Sequence, residues 1–281
     1  MLTQDNTRRP LREAALIALG RRVGGPIVRA TAAGSALVEV ASRIMVWEYR
    51  ELEPPDDLRD AVACLWEQQP EKPFRQLIVP DGCVDLIWLA ESELVVAGAD
   101  TGPRSISLPA GRRTSGLRLR PGAARSFLGV PASEICDSQI GVEFVPGMAV
   151  AALVDALAAA TKRDRLRLLA DVVRARRVRI DPLVAAAAER LAGPGSRVAA
   201  VAAELGTSER QLHRRTVATV GYSPKMLARV LRLRRLGRAR GQSLVDMALD
   251  AGYASQSHMS DEVRRLTGLT VTEYLAGLVA V

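Results

Sequence analysis

Hydrophobic and polar positions divide the chain into a part with strand-like patterning and a part with helical patterning. Between about residues 45 and 145, short runs rich in β-branched residues alternate with breaks that contain Gly and Pro, namely RQLIVP, CVDLIWLA, ELVVAGA and SGLRLRPGA. Runs of this length and spacing predict a small sandwich or barrel. The tripeptide PDG predicts a hairpin turn between the first two runs. The segment DDLRDAVACLWEQ, which begins with acidic residues, predicts one helix.

Helical patterning begins near residue 148. Three segments, MAVAALVDALAAA, RDRLRLLADVVRARR and DPLVAAAAERLA, predict a helical connector over 148–192. The sequence GPGS at 193–196 interrupts the pattern and predicts a domain border. We therefore expect a β-rich, sensor-like domain at 45–147 and an all-α domain at 193–281. The basic segment at 1–44 is either a flexible arm or a mis-assigned start, and we favour a dispensable extension.

The C-terminal region contains one pattern twice, in AAELGTSERQLH and in ALDAGYASQSHM. The first copy has one apolar helical face, formed by Val198, Val201, Ala202 and Leu205. The second copy repeats this face 46 residues later, in Leu244, Met247, Ala248 and Ala251. Beyond Gly206 and Gly252 the offset becomes 47, so the second copy has one extra residue in its turn. A helix, a glycine turn and a second helix predict a helix-turn-helix unit, and a duplicated unit explains the offset.

Helix-capping residues support these elements. The expected caps are Ser196 and Ser243 for the first helices, Ser208 with Gln211 and Ser255 for the second helices, Ser223 with Pro224 for the linking helix, and Thr270 with Glu273 for the last helix. The fold class that follows is α+β: a mostly-β N-terminal domain, a helical connector, and an all-α C-terminal domain with two helix-turn-helix units joined by a long helix.

The second helix of each unit leaves polar side chains opposite its core positions. In unit one these are Arg210, Gln211, His213, Arg214 and Arg215; in unit two they are Gln256, Ser257, His258 and Ser260. Guanidinium groups bind guanine and phosphate, and glutamine binds adenine, so both sets suit a DNA major groove. A linking helix of roughly 16 residues would span about 24 Å. The flanking turns would then bring the two second helices to a separation of about 34 Å, one turn of B-DNA.

The linking segment SPKMLARVLRLRRLGRAR surrounds an apolar seam with six cations, Lys225, Arg229, Arg232, Arg234, Arg235 and Arg238. These side chains either contact phosphate or lie on a solvated face. The net charge of +8 is uneven. Residues 191–281 have 13 basic and 7 acidic residues, whereas residues 45–190 have 19 and 21. A basic C-terminal third predicts a polyanion-binding module.

Composition narrows the class of protein. No apolar run reaches about 18 residues, so we expect no membrane partner and a cytoplasmic location. Cys64, Cys83 and Cys136 match neither a disulfide framework nor a zinc spacing, and we interpret them as buried, reduced thiols. With only two histidines, we predict no metal and no cofactor.

Residues 193–275 resemble the AraC/XylS family of bacterial transcription regulators. The resemblance is carried by VAAVAAELGTSERQLHRRTVATVGYSP, by the arginine-rich linking segment and by DMALDAGYASQSHMSDEVRRLTGLTVTEYL. It implies two helix-turn-helix units that read adjacent major-groove segments as a monomer. The DNA-binding residues it implies are Arg210, Gln211, His213, Arg214, Gln256, Ser257, His258 and Ser260. The accompanying phosphate contacts are Ser208, Arg215, Arg232, Ser255 and Arg264. Asp261 and Glu262 follow Ser260 where many members are basic, which implies that unit one dominates affinity.

The middle region resembles the N-terminal domain of one branch of this family, through YRELEPPDDLRDAVACLWEQ, VPDGCVDLIW and GLRLRPGAA. The resemblance implies a domain that senses a small-molecule effector or forms a homodimer. Trp66, Asp85 and Trp88 either line a ligand pocket or pack in the core. Arg118 and Arg120 either receive an anion or pair with acids, and we favour the pairing.

We therefore predict a non-enzymatic transcription regulator whose partner is double-stranded promoter DNA, with RNA polymerase as a further candidate partner. Activation and repression both stay open. One alternative is a DNA-repair alkyl-transferase, which needs an activated cysteine beside basic groups, whereas Cys83 is flanked by acids. Another is a protein-interaction scaffold with a degenerate DNA-binding domain, which Asp261 and Glu262 suggest.

Overall fold

The computed structural model describes residues 49–238 and 243–279, so the predicted extension at 1–44 lies outside the described residues. In the described part of the N-terminal region the strands are β1 (Arg50–Leu52), β2 (Val62–Gln68), β3 (Phe74–Ile78), β4 (Val84–Leu89), β5 (Glu93–Ala97), β6 (Arg104–Leu108), β7 (Thr114–Leu119) and β8 (Gln139–Gly141). Six of them form an antiparallel sheet in the order β1-β2-β7-β4-β5-β8. Strands β3 and β6 pair separately as an antiparallel ribbon.

The two faces of the six-stranded sheet have different environments. Along β4, Leu86 and Trp88 point into a large core that also contains Phe127 and Leu169 from the helices. The alternate residue Ile87 lies in a smaller cluster on the opposite face. The β3–β6 ribbon lies over that second face, where the side chain of Gln68 donates to Gln76 at 3.0 Å. Because successive side chains of a strand point to opposite faces, the sheet has one face packed against the helices and one face that borders a cavity.

The helix predicted in DDLRDAVACLWEQ is wrong. Asp56–Leu58 form one 3₁₀ turn, and the chain then continues as β2. Strand β2 lies between β1 and β7 and is buried on both faces, so its apolar run shows no alternation. A short run of that kind does not distinguish a strand from a buried helix by periodicity. Pairing with two neighbouring strands decided the outcome here.

The hairpin predicted between RQLIVP and CVDLIWLA is also wrong. The PDG segment does form a turn, in which Asp81 Oδ1 accepts the amide of Cys83 at 2.8 Å and Gly82 has φ +83°. That turn joins two different sheets, because β3 pairs with β6 and β4 pairs with β5 and β7. The turn chemistry was therefore predicted correctly and the strand partner was not.

The helices are α1 (Ala124–Leu128), α2 (Val150–Ala159), α3 (Lys162–Ala175), α4 (Pro182–Leu191), α5 (Val198–Glu204), α6 (Glu209–Val220), α7 (Pro224–Leu236), α8 (Leu244–Asp250), α9 (Gln256–Thr267) and α10 (Val271–Val279). Helices α2 and α3 contribute Leu157 and Leu169 to the core of the sheet. Helix α4 instead places Val184 in a second core with α5, α6 and α7. The predicted connector is thus divided between two cores, with α2 and α3 in the first and α4 in the second. We propose that the C-terminal domain includes α4. No helix in the described ranges is both long and apolar enough to cross a membrane.

Most predicted helix caps are present. The hydroxyls of Ser208, Ser223, Ser243 and Ser255 each accept the backbone amide three residues on. Thr270 and Glu273 exchange bonds reciprocally: the amide of Thr270 donates to Glu273 Oε2 at 2.7 Å, and the amide of Glu273 donates to Thr270 Oγ1 at 3.2 Å. The cap predicted at Ser196 is wrong, because its hydroxyl donates to the carbonyl of Leu191.

Candidate nucleic-acid interface

Helices α5 and α6 form unit one, and α8 and α9 form unit two, with the same local geometry in each. Gly206 and Gly252 end the first helices with φ +61° and +87°, a conformation that favours glycine. In each turn, the amide of the glycine donates to the carbonyl three residues earlier, and the following amide donates to the carbonyl five residues earlier. The pairs are Gly206 to Ala203 at 3.0 Å, Thr207 to Ala202 at 2.9 Å, Gly252 to Leu249 at 2.9 Å and Tyr253 to Ala248 at 2.8 Å. The predicted duplication is confirmed by its hydrogen bonds.

The extra residue of unit two gives His258 a role in the turn. Tyr253 is buried, and its ring meets the imidazole of His258 edge to face, with centroids 5.5 Å apart. His258 Nδ1 accepts the amide of Ala254 at 3.2 Å. The side chain is half-buried and packs against its own turn. Base reading by His258 stays a prediction.

Unit one presents an exposed polar surface on the first two turns of α6. Leu212 is fully buried and Thr216 bonds back to the carbonyl of Leu212, so one side of α6 belongs to the core. The four residues predicted to face DNA from this helix, Arg210, Gln211, His213 and Arg214, are all exposed. The amide end of a helix also carries a partial positive charge that favours phosphate. The surface therefore suits a polyanion.

Unit two presents a less basic surface. Gln256 and Ser257 are exposed on the first turn of α9, whereas Ser260 is half-buried and its hydroxyl donates to the carbonyl of Gln256. Asp261 is exposed. Glu262 points inward and accepts Arg229 Nε at 2.7 Å. Only the first acid of the Asp261–Glu262 pair thus faces outward.

The predicted phosphate contacts fall into two groups. Ser208 and Ser255 are exposed caps and Arg264 is exposed on α9, so these three are accessible. Arg215 forms two bonds of 2.7 Å with Asp181, the residue that caps α4. Arg232 is half-buried, with its guanidinium 5.6 Å from the ring of Tyr253. These two guanidinium groups contact protein elements, and their contacts with phosphate stay a prediction.

The linking helix α7 is fixed on several sides by its own cations. Arg229 bonds to Glu262 in α9, Arg234 donates to the carbonyl of Asp81 at 3.3 Å, and Arg235 donates to the carbonyl of Ala192 at 2.9 Å. Of the six predicted seam cations, Lys225 and Arg238 are exposed. Helix α7 has 13 residues, which gives a length of about 20 Å. Helix α7 is largely buried, and the three bonded arginines contact other parts of the protein. The sequence pattern predicts only contact with phosphate or exposure to solvent.

The N-terminal region encloses a cavity of about 240 Å³ between the sheet and the ribbon. Trp66 and Asp85 line it, and Trp66 Nε1 donates to Asp85 Oδ2 at 3.2 Å. Trp88 lies on the opposite face of the sheet in the large core, so the pocket prediction is wrong for this residue. Arg118 binds Asp85, as the favoured interpretation expected, whereas Arg120 donates to the carbonyl of Arg59.

The thiols of Cys64 and Cys83 lie in surroundings that disfavour the thiolate. Burial raises the pKa of Cys64 to about 12, and burial together with the charge of Asp81 raises the pKa of Cys83 well above its ordinary value. A nucleophilic cysteine needs the opposite shift. The described residues contain no cluster of His, Cys, Asp or Glu that could hold a metal ion.

Comparisons with known proteins agree with the duplicated unit. Residues 185–277 match a family described as a helix-turn-helix domain, and residues 50–141 match a domain of unknown function, DUF6597. No curated protein matches the chain.

Solved structures with some similarity include a transcriptional regulator with an AraC-type DNA-binding domain from Chromobacterium violaceum (26% identity, 34% of this chain and 92% of that chain, TM-score 0.32). An apo ToxT variant from Vibrio cholerae is 12% identical over 76% of this chain and 97% of that chain, with a TM-score of 0.42. ToxT bound to an unsaturated fatty acid is 11% identical, over 82% and 99%, with a TM-score of 0.42.

The helix-turn-helix match agrees with the local geometry of the described residues. Two capped helix-turn-helix units on one linking helix, each with exposed polar residues at the start of its second helix, are what the AraC-type motifs predicted. Residues 185–277 therefore form a helix-turn-helix domain of the kind that the family model describes.

Proposed function

We propose that this protein is a DNA-binding transcription regulator of the AraC type, and that it binds a specific promoter sequence by placing α6 and α9 in adjacent segments of the major groove. The observation that carries the proposal is the exposed polar start of both second helices, while their opposite sides are held in separate cores around α7. Arg210, Gln211, His213 and Arg214 would read or grip DNA from unit one, and Gln256 and Ser257 from unit two. Ser208, Ser255 and Arg264 would contact phosphate.

We assign the larger share of affinity to unit one. Its two exposed arginines, Arg210 and Arg214, lie on the first two turns of α6, and the helix dipole adds to the charge of Arg210 in the first turn. The corresponding part of α9 carries uncharged Gln256 and Ser257 and the acid Asp261. Arginine makes the strongest bidentate contacts with guanine and phosphate.

We further propose that the N-terminal region controls DNA binding, because it contacts both units. The turn at residues 131–136 packs against unit one, where Cys136 contacts the second core. Leu77 and Val79, at the end of the ribbon, pack against the core of unit two. Both also line the cavity. A small molecule in the cavity would therefore press on residues that support unit two.

Gel-shift titration of the purified protein on the DNA upstream of its own gene tests the DNA-binding proposal. Affinity should fall steeply between 50 and 200 mM salt, because cations that neutralise phosphate release counterions. Arg214→Ala should weaken specific binding by about 1–3 kcal/mol and relax the preference at one base pair. Gln256→Ala should lower DNA affinity by less, because a neutral amide forms no ion pair with phosphate.

Arg163→Ala is the matched control, because Arg163 is an exposed arginine on α3 in the other domain. A footprint that responds equally to Arg163→Ala and Arg214→Ala would reject the assigned surface. The stoichiometry of the shifted complex distinguishes a monomer from a homodimer in the same experiment.

A further inference from the structure

The cavity in the N-terminal region has the size and shelter of a site for a small molecule. It lies between β2, β4 and β7 on one side and the β3–β6 ribbon on the other. Its apolar lining includes Ile78, Ile87 and Ile106. A volume of about 240 Å³ equals roughly eight waters at about 30 Å³ each. Because covalently bonded atoms take up less room than separate waters, the cavity admits a compound of about ten non-hydrogen atoms. Apolar walls with a few converging polar groups are typical of ligand sites.

One wall of the cavity is aromatic and held rigidly. The rings of Tyr49 and Trp66 lie 6.0 Å apart at 34°. The indole of Trp66 lies against Gly116, where a Cβ atom would come within 2.3 Å of the ring. Its Nε1 donates to Asp85, which fixes the ring orientation. A fixed indole presents an electron-rich face, which attracts cations and flat apolar groups.

The polar end of the cavity has more negative than positive charge. Arg118 bonds to Asp85 through Nε and Nη2, each at 3.2 Å. Its Nε also lies 3.2 Å from Asp81, and its Nη1 lies 3.4 Å from Glu51. Three carboxylates thus surround one guanidinium group, and two of them, Asp81 and Asp85, line the cavity. The other ion pair of the lining, Asp100 with Arg104 at 3.0 Å, is balanced.

Burial makes the charged form of one carboxylate in this cluster unfavourable. The side chain of Asp85 is 13% exposed, and burial, assisted by the charge of Asp81, raises its pKa despite the contact with Arg118. A second positive group beside Asp81 and Asp85 would relieve their repulsion. A carboxylate or phosphate ligand would add to it, because Arg118 already donates to carboxylates through all three nitrogens.

We infer that the cavity binds a small organic cation, with its ammonium or amidinium head beside Asp81 and Asp85 and its flat or apolar body against Trp66. This inference rests on the proposed function, in which the N-terminal region controls DNA binding, and it assigns the chemical class of the effector. The site connects to the DNA-binding domain at Asp81, whose carbonyl accepts Arg234 of the linking helix.

Isothermal titration of the full-length protein with matched probes tests the ligand class. The cations are phenethylammonium and benzamidinium, the neutral probe is 2-phenylethanol, and the anion is phenylacetate. At least one cation should bind ten times more tightly than 2-phenylethanol, and phenylacetate should bind most weakly. The inference is overturned when neither cation exceeds 2-phenylethanol in affinity, or when phenylacetate binds as tightly as the cations.

A charge-removing variant locates the bound cation. Asp81→Asn keeps an oxygen for the amide of Cys83 but removes one carboxylate charge, so the cation should bind about ten times more weakly and 2-phenylethanol should be unaffected. Asp155→Asn, at an exposed carboxylate on α2, is the control and should change neither. Equal affinity in Asp81→Asn and wild type places the cation elsewhere and rejects the site.

A gel shift without any probe separates the two proposals. A protein that shifts its upstream DNA but shows no preference for cations retains the proposed function and disproves the ligand class. A protein that binds a cation but shifts no DNA disproves the proposed function.

Discussion

The two helix-turn-helix units share a backbone pattern but expose different chemistry. Unit one places Arg210 and Arg214 on the exposed first turns of its second helix. Unit two has Gln256 at the start of the matching helix and Asp261 further along it, and its exposed arginines, Arg264 and Arg265, lie towards the end. A duplicated fold therefore preserves the caps and turns that make the motif, while the solvent-facing positions diverge because folding places little constraint on them.

The units also differ in what supports them. Unit one is joined to the start of α4 through Arg215 and Asp181. Unit two depends on the buried pair of Arg229 and Glu262 and is contacted by the ribbon that borders the cavity. The N-terminal region contacts both units, but two residues that line the cavity, Leu77 and Val79, pack against unit two.

The largest expected effect is on unit two. Arg229→Ala leaves Glu262 as an uncompensated buried charge and should lower the free energy of unfolding by about 3–5 kcal/mol. Urea denaturation measures the loss. The double variant Arg229→Met with Glu262→Leu should recover most of it, because apolar side chains of similar size replace the pair. An unchanged midpoint for Arg229→Ala would mean that Glu262 reaches solvent and is available to repel DNA.

The next effect concerns unit one. Arg215→Ala removes two charged hydrogen bonds to Asp181 and should cost about 1.5–3 kcal/mol of stability, with the slope of DNA affinity against salt unchanged. Arg210→Ala should have the opposite effects, because it should leave the free energy of unfolding nearly unchanged and make the dependence of DNA affinity on salt shallower. Thermal unfolding and gel-shift titrations of both variants give the comparison. A shallower slope for Arg215→Ala would return this residue to the phosphate contacts.

A smaller effect is expected for the exposed acid of unit two. Asp261→Asn removes a negative charge from the surface proposed to face DNA, and affinity should rise by about 0.2–1 kcal/mol at low salt, the range of exposed charge interactions. The gain should shrink as salt rises. Glu93→Gln, at an exposed acid on β5, controls for the change in net charge. A gain of the same size in the control would place Asp261 away from the DNA.

A further effect of similar size is a pH dependence confined to the helix that follows unit two. Hydrogen bonds from the backbone and hydroxyl of Thr270 hold the pKa of Glu273 below its ordinary value. The ionised carboxylate therefore stabilises the fold at neutral pH, and this contribution is lost as the pH falls through the lowered pKa. Glu273→Gln should lower the free energy of unfolding by about 0.3–1 kcal/mol at pH 7 and by much less at pH 3, as urea denaturation at the two pH values would measure.

The matching cap of unit one, Ser223 before Pro224, has no acid three residues on and supplies the comparison. Ser223→Ala should show a loss that does not vary with pH over the same range. A difference between Glu273→Gln and wild type that is constant from pH 7 to pH 3 would mean that the carboxylate charge contributes nothing to this cap.

Features that depend on nearby residues were predictable. The turn glycines, the five confirmed caps and the 46- and 47-residue offsets all rest on bonds between residues within five positions of each other. The exposure of Arg210 and Arg214 followed from helical periodicity alone. Predictions failed where a distant segment decided the outcome, as in the helix expected at residues 56–68 and the hairpin expected at the PDG turn.

The sequence by itself determined that two helix-turn-helix units exist, where they begin and end, and which of their side chains face away from the local core. Only the tertiary structure decided the partners of the charged groups: Arg229 with a residue 33 positions away, Arg215 with one 34 positions away, and Arg234 with one 153 positions away. Periodicity tells which side of a helix is buried. It does not tell what covers that side, because the covering segment is selected by the packing of the whole chain.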